Sequence, residues 1–315
     1  MEFEMKNNIL VPKTEPVPML VFVDETYLLD RTGFLQSAMP IPLNIYSQQL
    51  VPQSSDLLRQ LGQDAKEFKG SAVKAGNANI YRQFLAAFIN VSAHISDHAP
   101  VFPIVAVDAS GIYSGKNYDW VYKNVTGGLA NMGIHDEDQL AAEFSRQVLW
   151  IYNHYKKITN LKLTNELLLC FDNKHQYAER MQALRAMTND KLIAPTLWQL
   201  EDAMRSFANT LFANLDPKIP IPRIDRFQFR WSPLEFGLQA ADLLCHLIYC
   251  GIKHEMGIAD DNTQLKAGIL KEVMPAFALD PALTNSLAIG KDNQGRDDIR
   301  CTNPHLLSTF QFSPQ

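Results

Sequence analysis

The chain is poor in cysteine, and its few cysteines follow no pattern. Cys170, Cys245, Cys250 and Cys301 form no Cys-x-x-Cys pair and no zinc-type spacing, which excludes a zinc finger and offers no disulfide framework. Cys170 ends an apolar run, and Cys245 and Cys250 lie inside one, so these three read as small buried hydrophobes. Without disulfides a reducing compartment is expected. Long apolar runs are also missing. None reaches the length that spans a bilayer, and residues 1–18 lack the apolar core of a signal peptide, so a cytoplasmic protein with no membrane partner is expected. Positive charge is short as well: 29 Lys and Arg against 34 Asp and Glu leave a net charge of -5. No global basic field draws in a polyanion, and a nucleic-acid partner would need a local basic groove. Repeats and low-complexity tracts are absent. Gly127-Gly128 lacks the surroundings of a phosphate loop, Ser71 and Ser232 lack a nucleophile elbow, and the aromatics form no stacking platform. His94 and His98 have the spacing of a metal-binding helix pair. They fall at a helix end before Pro100, where a capping role fits better.

What is present is an ordinary globular composition, 46% hydrophobic and 20% charged, over 315 residues. Short apolar runs end in acids: Met19–Val23 leads into Asp24, Val101–Val107 into Asp108, and Leu167–Phe171 into Asp172. Unalternated runs of this kind suit strands buried on both faces. Residues 33–43 predict a second strand whose end or edge is marked by Pro40 and Pro42. The alternation of Phe227, Phe229 and Trp231 with Gln228 and Arg230 predicts a half-buried strand. Helices fill the intervals. Asn79–Ala93 has helical spacing; Asp136 with Gln139 resembles a capping box opening a helix to about Lys157; Asn173 with Gln176 does the same. Ser232-Pro233-Leu234-Glu235 reads as an N-cap, a proline and a glutamate opening a helix to about Lys253. Alternating strands and helices predict an α/β fold with its site at the strand ends.

Singly, Asp24, Asp108 and Asp172 have an ordinary explanation, since Asp ends strands, opens turns and caps helices. Asp242 is harder to explain in that way. Its helix, LEFGLQAADLLCHLIYCGI, is apolar almost all round, and an ionised carboxylate there carries a large desolvation penalty unless something offsets it. A buried salt bridge to His246 or Arg226 is one solution. A metal is the other. Oxygen donors gathered at one sheet edge, without Cys or His at ligand spacing, favour Mg²⁺ or Mn²⁺, and paired ions can activate water for an in-line displacement. Ala240 and Ala241 would let this helix approach a sheet closely.

The strand VFVDET, the segment KEFKGS, the strand LLLCFD and the helix opening SPLEFGLQAADLLCHLI together resemble the domain of unknown function 3800 family, which is regarded as ribonuclease-H-like. The most specific part is Ser232 with Gln239, Ala241, Asp242 and Leu243. The family's Asp-Glu-Ser-Gly is here Asp24-Glu25-Thr26-Tyr27, so the turn that glycine would make is changed. The resemblance spans about residues 17 to 255. It implies a ribonuclease-H-like mixed sheet flanked by helices with helical insertions. A flexible tail over 1–16 would precede it, and a C-terminal extension over 256–315 would pack on the core. It further implies a metal-dependent nuclease in which Asp24 bridges the metals, Glu67, Asp172 and Asp242 complete the shell, and Lys69 holds a phosphate or orients water. Glu67 and Lys69 rest on the resemblance alone, because their neighbourhood reads as a polar loop. Asp108 and Glu25 are rivals to Glu67. Lys66, Lys74, Lys174, Arg223, Arg226 and Arg230 are candidates for a local groove on nucleic acid. The alternative is a scaffold or binding component of a nucleic-acid-processing or defence system that keeps the fold without the chemistry.

Overall fold

The computed structural model of the protein describes residues 3–6, 9–12, 18–29, 33–95, 102–106, 166–172, 223–275, 281–302 and 307–310, with isolated positions between 202 and 209. Its centre is strand β3 (Met19–Tyr27), following a two-stranded antiparallel ladder of β1 (Phe3–Lys6) and β2 (Ile9–Pro12). The opening residues, expected as a flexible tail over 1–16, contain these two paired strands, whose ladder partners local hydropathy does not reveal. Strand β4 (Gly33–Pro42) runs antiparallel to β3 along its whole length. The prolines are tolerated because β5 (Phe102–Ala106) pairs with β4 only over Gly33–Leu35, leaving no described strand beside Pro40 and Pro42 on that side.

On the other side of β3, β6 (Glu166–Asp172) runs parallel to it, and β7 (Arg223–Arg230) runs parallel to β6. The six-stranded order is β10-β5-β4-β3-β6-β7, with β10 (Leu307–Phe310) antiparallel to β5 at one edge. The chain is thus a mixed α/β structure. The segment beyond residue 256 does more than pack on the core, since it returns a strand to the main sheet.

After β4 the chain enters a helical stretch of α1 (Leu43–Ile45), a π-turn over Tyr46–Leu50 and α2 (Val51–Gln60). A loop with a single 3₁₀ turn, Gly70–Ala72, leads to α3 (Ala78–Ile95), close to its expected span. Helix α4 (Phe236–Glu255) lies across β3 and β4, α3 packs over β4, and α5 (Asp261–Val273) backs both helices. A four-residue helix α6 (Pro281–Thr284) precedes the hairpin β8 (Leu287–Lys291)–β9 (Asp297–Cys301). That hairpin is tied to α4 by the Tyr249 hydroxyl on Asp298 and by Lys253 Nζ on the Asp297 carbonyl, 2.9 Å away. No helix among the described residues is long and apolar enough to cross a membrane.

The core is aromatic where helices meet the sheet. Phe22, fully buried, packs against Tyr46 with ring centroids 4.9 Å apart. A Cβ on Gly237 would stand 2.3 Å from the Phe22 ring, so glycine there sets how closely α4 approaches β3. The small residues work as expected: Ala240 and Ala241 are wholly buried, and the Ser37 hydroxyl donates to the Ala241 carbonyl at 2.8 Å.

Candidate functional site

Asp24 does not terminate its strand. It lies inside β3, whose pairing with β4 continues to Tyr27, so no turn forms where the family pattern has glycine. It does mark the point where the parallel partner runs out: Val23 pairs with Phe171, which places Asp24 and Asp172 at one level on adjacent strands. Asp24 is buried, its carboxylate accepts the Glu25 N–H at 2.8 Å, and the Cys245 thiol of α4 lies 3.4 Å from its carbonyl. The helix therefore crosses directly over it.

Asp242 lies on that helix, half-buried. Burial first, then the charge of Asp172, push its carboxyl up to about 6; Glu67 adds to the rise, while Lys69 and a hydrogen bond from the Gly70 N–H oppose it. Of the two ordinary explanations, a salt bridge to His246 does not form, and the Arg226 side chain lies outside the described residues. His246 Nε2 lies 3.1 Å from Lys266 Nζ, and burial with that ammonium pushes the imidazole down to about 4. Arg226 stands opposite Leu168, short of the strand end that carries Asp172.

Glu67 and Lys69, drawn from a loop of unremarkable polarity, come to this same place. They pair at 2.8 Å, and the hydrogen bond to Glu67 holds the Lys69 ammonium above its ordinary range, with Asp242 and Asp172 contributing. The cause is Phe68 between them. Fully buried, it stacks on Phe84 at 3.8 Å and meets Tyr81 edge-on, pinning a hydrophilic loop to α3 and α4. Three successive backbone amides of this loop are held from the core: Phe68 N–H by Gln239 Oε1 at 2.9 Å, Lys69 by the Tyr81 hydroxyl, and Gly70 by Asp242. Gly70 must be glycine in this arrangement, because a Cβ would meet the His246 ring at 2.5 Å.

Ser232 is not the cap of α4. Ser232–Leu234 form a 3₁₀ turn and Glu235 occupies the cap position without capping, since its carboxylate is engaged by the Tyr46 hydroxyl, which also accepts the Gly237 N–H at 3.4 Å. Ser232 serves the acids instead. Its N–H donates to Asp172 Oδ1 at 3.3 Å and its carbonyl accepts from Gln239 Nε2 at 2.8 Å. Trp231, expected on a half-buried strand, follows β7 and is exposed.

Asp172, Asp242, Glu67 and Lys69 thus share one electrostatic neighbourhood, with Asp24 beside Asp172 on the sheet. Among the described residues no three His, Cys, Asp or Glu side chains stand close enough together to grip one ion. Lys66, Lys74 and Arg230 are exposed. Asp108, Lys174, His98, the Asp136 helix and the Asn173–Gln176 box lie outside the described residues. The sequence motif names Gln239 without a task, and Tyr81 and Lys266 carry no sequence signal; a glutamine in an apolar helix three residues before an acid points to such a task. No family model, curated protein or solved structure matches the chain.

Proposed function

We propose that the protein is a ribonuclease-H-like, metal-dependent nuclease that hydrolyses RNA or DNA phosphodiesters. The observation that carries this reading is Asp242, a carboxylate forced into a buried helix beside Asp172 and Glu67 and pushed up to about 6 by burial and their charge. A cluster of like charges repels itself or takes up protons, and a divalent cation would neutralise it. The strand order supports the fold assignment. An antiparallel meander of β3, β4 and β5 is extended beyond β3 by two parallel strands, and the acids lie on the first strand, the fourth and the closing helix.

The donor set suits Mg²⁺ or Mn²⁺, being hard oxygens without soft ligands. Asp24, Glu67, Asp172 and Asp242 would hold the ion, which when bound polarises phosphate oxygen and activates water. The Glu67 carboxylate must then exchange part of its pairing with Lys69, freeing that ammonium for a phosphate oxygen. Because the described side chains stand too far apart to grip one ion, Glu67 and Asp172, both less buried than Asp24, would have to close on it beside Asp24 and Asp242.

Asp24→Asn and Asp242→Asn should each reduce Mn²⁺-stimulated cleavage of RNA and DNA oligonucleotides by at least about 100-fold with the fold retained. Wild-type rates in either variant would refute the assignment. The second reading, a non-catalytic scaffold of the same fold, is favoured by the absence of a three-residue grip among the described side chains. Calorimetric titration with Mn²⁺ separates the two, because a scaffold need take up no ion at these acids.

A further inference from the structure

We propose that Gln239 is a positioning residue, a two-ended amide strut that holds the loop bearing Glu67 and Lys69 against the turn that orients Asp172. The inference rests on the reading of the four acids as one site.

Gln239 is almost wholly buried, and both ends of its amide are occupied by backbone. Its oxygen accepts the Phe68 N–H at 2.9 Å, and its nitrogen donates to the Ser232 carbonyl at 2.8 Å. The two partners belong to segments more than 160 residues apart, as the 171-residue separation of Gln239 from Phe68 requires. Neither segment has regular secondary structure to place it beyond a single 3₁₀ turn. Each carries a group of the acid neighbourhood. Phe68 lies between Glu67 and Lys69, and Ser232 gives its N–H to Asp172 at 3.3 Å. Gln239 precedes Asp242 by three residues, so both project from the same side of α4, and Asp242 receives the Gly70 N–H of the same loop.

A carboxamide meets these demands at neutral pH without titrating. One end must accept from an N–H and the other must donate to a carbonyl, whereas a carboxylate would repel the Ser232 carbonyl and a hydrocarbon would leave both backbone groups buried without partners. Outer-shell groups that orient metal-binding side chains commonly change ion affinity by about 10–100-fold when removed.

The test uses Gln239→Met, which preserves length and flexibility, and Gln239→Leu as a second apolar variant should Met fold poorly. Hydrogen exchange is followed at the Phe68 and Ser232 amides, and Mn²⁺ affinity is measured by calorimetry. The expected result is exchange at least about 10-fold faster at both amides, with Mn²⁺ affinity about 10-fold weaker. Faster exchange at one amide alone, or wild-type affinity despite faster exchange at both, overturns the strut. Asp24→Asn serves as the contrast: it should lose Mn²⁺ binding with exchange at Phe68 and Ser232 unchanged. If wild type takes up no Mn²⁺, the metal reading fails, and the strut, which needs the acids to form one site, is overturned with it. If wild type binds Mn²⁺ and Gln239→Met binds it equally well, the strut alone is overturned.

Discussion

Asp242 has a measurable consequence for stability as well as for ion binding. Its carboxyl is raised from an ordinary 3.8 to about 6, chiefly by burial. The folded chain therefore holds this proton more tightly than the unfolded chain does. The advantage is complete below the unfolded value and is lost as pH rises through about 6, above which the native state bears a buried charge. Asp242→Asn should accordingly unfold at a higher temperature than wild type at pH 8 without divalent metal, and the gap should narrow steadily towards pH 4. An equal difference at both pH values would show that the charge is compensated. In the same range protons compete with metal, so Mn²⁺ affinity should weaken as pH falls through about 6.

Among the elements, the loop between α2 and α3 is the one whose placement is least obvious and most consequential. Its residues are mostly polar, yet Phe68 is fully buried against Phe84, Tyr81 and Phe236. Truncating a stacked, fully buried ring removes its transfer free energy and leaves a cavity, together about 3–5 kcal/mol. Phe68→Ala should lower the unfolding free energy by that amount, read from the shift of the denaturant midpoint. It should also loosen the flanking Glu67–Lys69 pair, seen as faster proteolysis within 61–77. A loss below about 1 kcal/mol would mean that the loop closes over the gap. Helix α4 shows the complementary logic, in which Gly237, Ala240, Ala241 and Cys245 form a slim face that brings Asp242 down onto the end of the sheet.

The whole molecule is held by burial and hydrogen bonding without covalent cross-links. Cys170, Cys245, Cys250 and Cys301 are buried and none is in a disulfide, and burial raises the thiol of Cys245 and pushes that of Cys250 up to about 11. Since the thiolate is the reactive form, all four should resist a thiol reagent at pH 8 in the native state and titrate together in guanidinium. Prompt native-state labelling of any one would show an opening of the core. Reducing agent should leave the unfolding temperature unchanged.

How much could be read in advance follows from the range of the interactions involved. Strands β3, β5 and β6, the helices α3 and α4, and the anomaly of Asp242 were legible because they depend on local periodicity and on the penalty for burying a charge. The hairpin at the start, the return of β10 to the sheet edge, the displaced cap of α4 and the inward turn of Phe68 were not, because each is decided by a partner distant in the chain. Ser232 shows the difference most plainly. Its sequence context encodes a helix cap, but Tyr46 occupies the adjoining glutamate, so Ser232 is left to bind Asp172 and Gln239. Local composition determined which residues must be buried and which acids would be uncomfortable there. Only the tertiary structure decided that those acids are neighbours, since proximity between residues 67, 172 and 242 arises from strand register and helix packing, which no local pattern records.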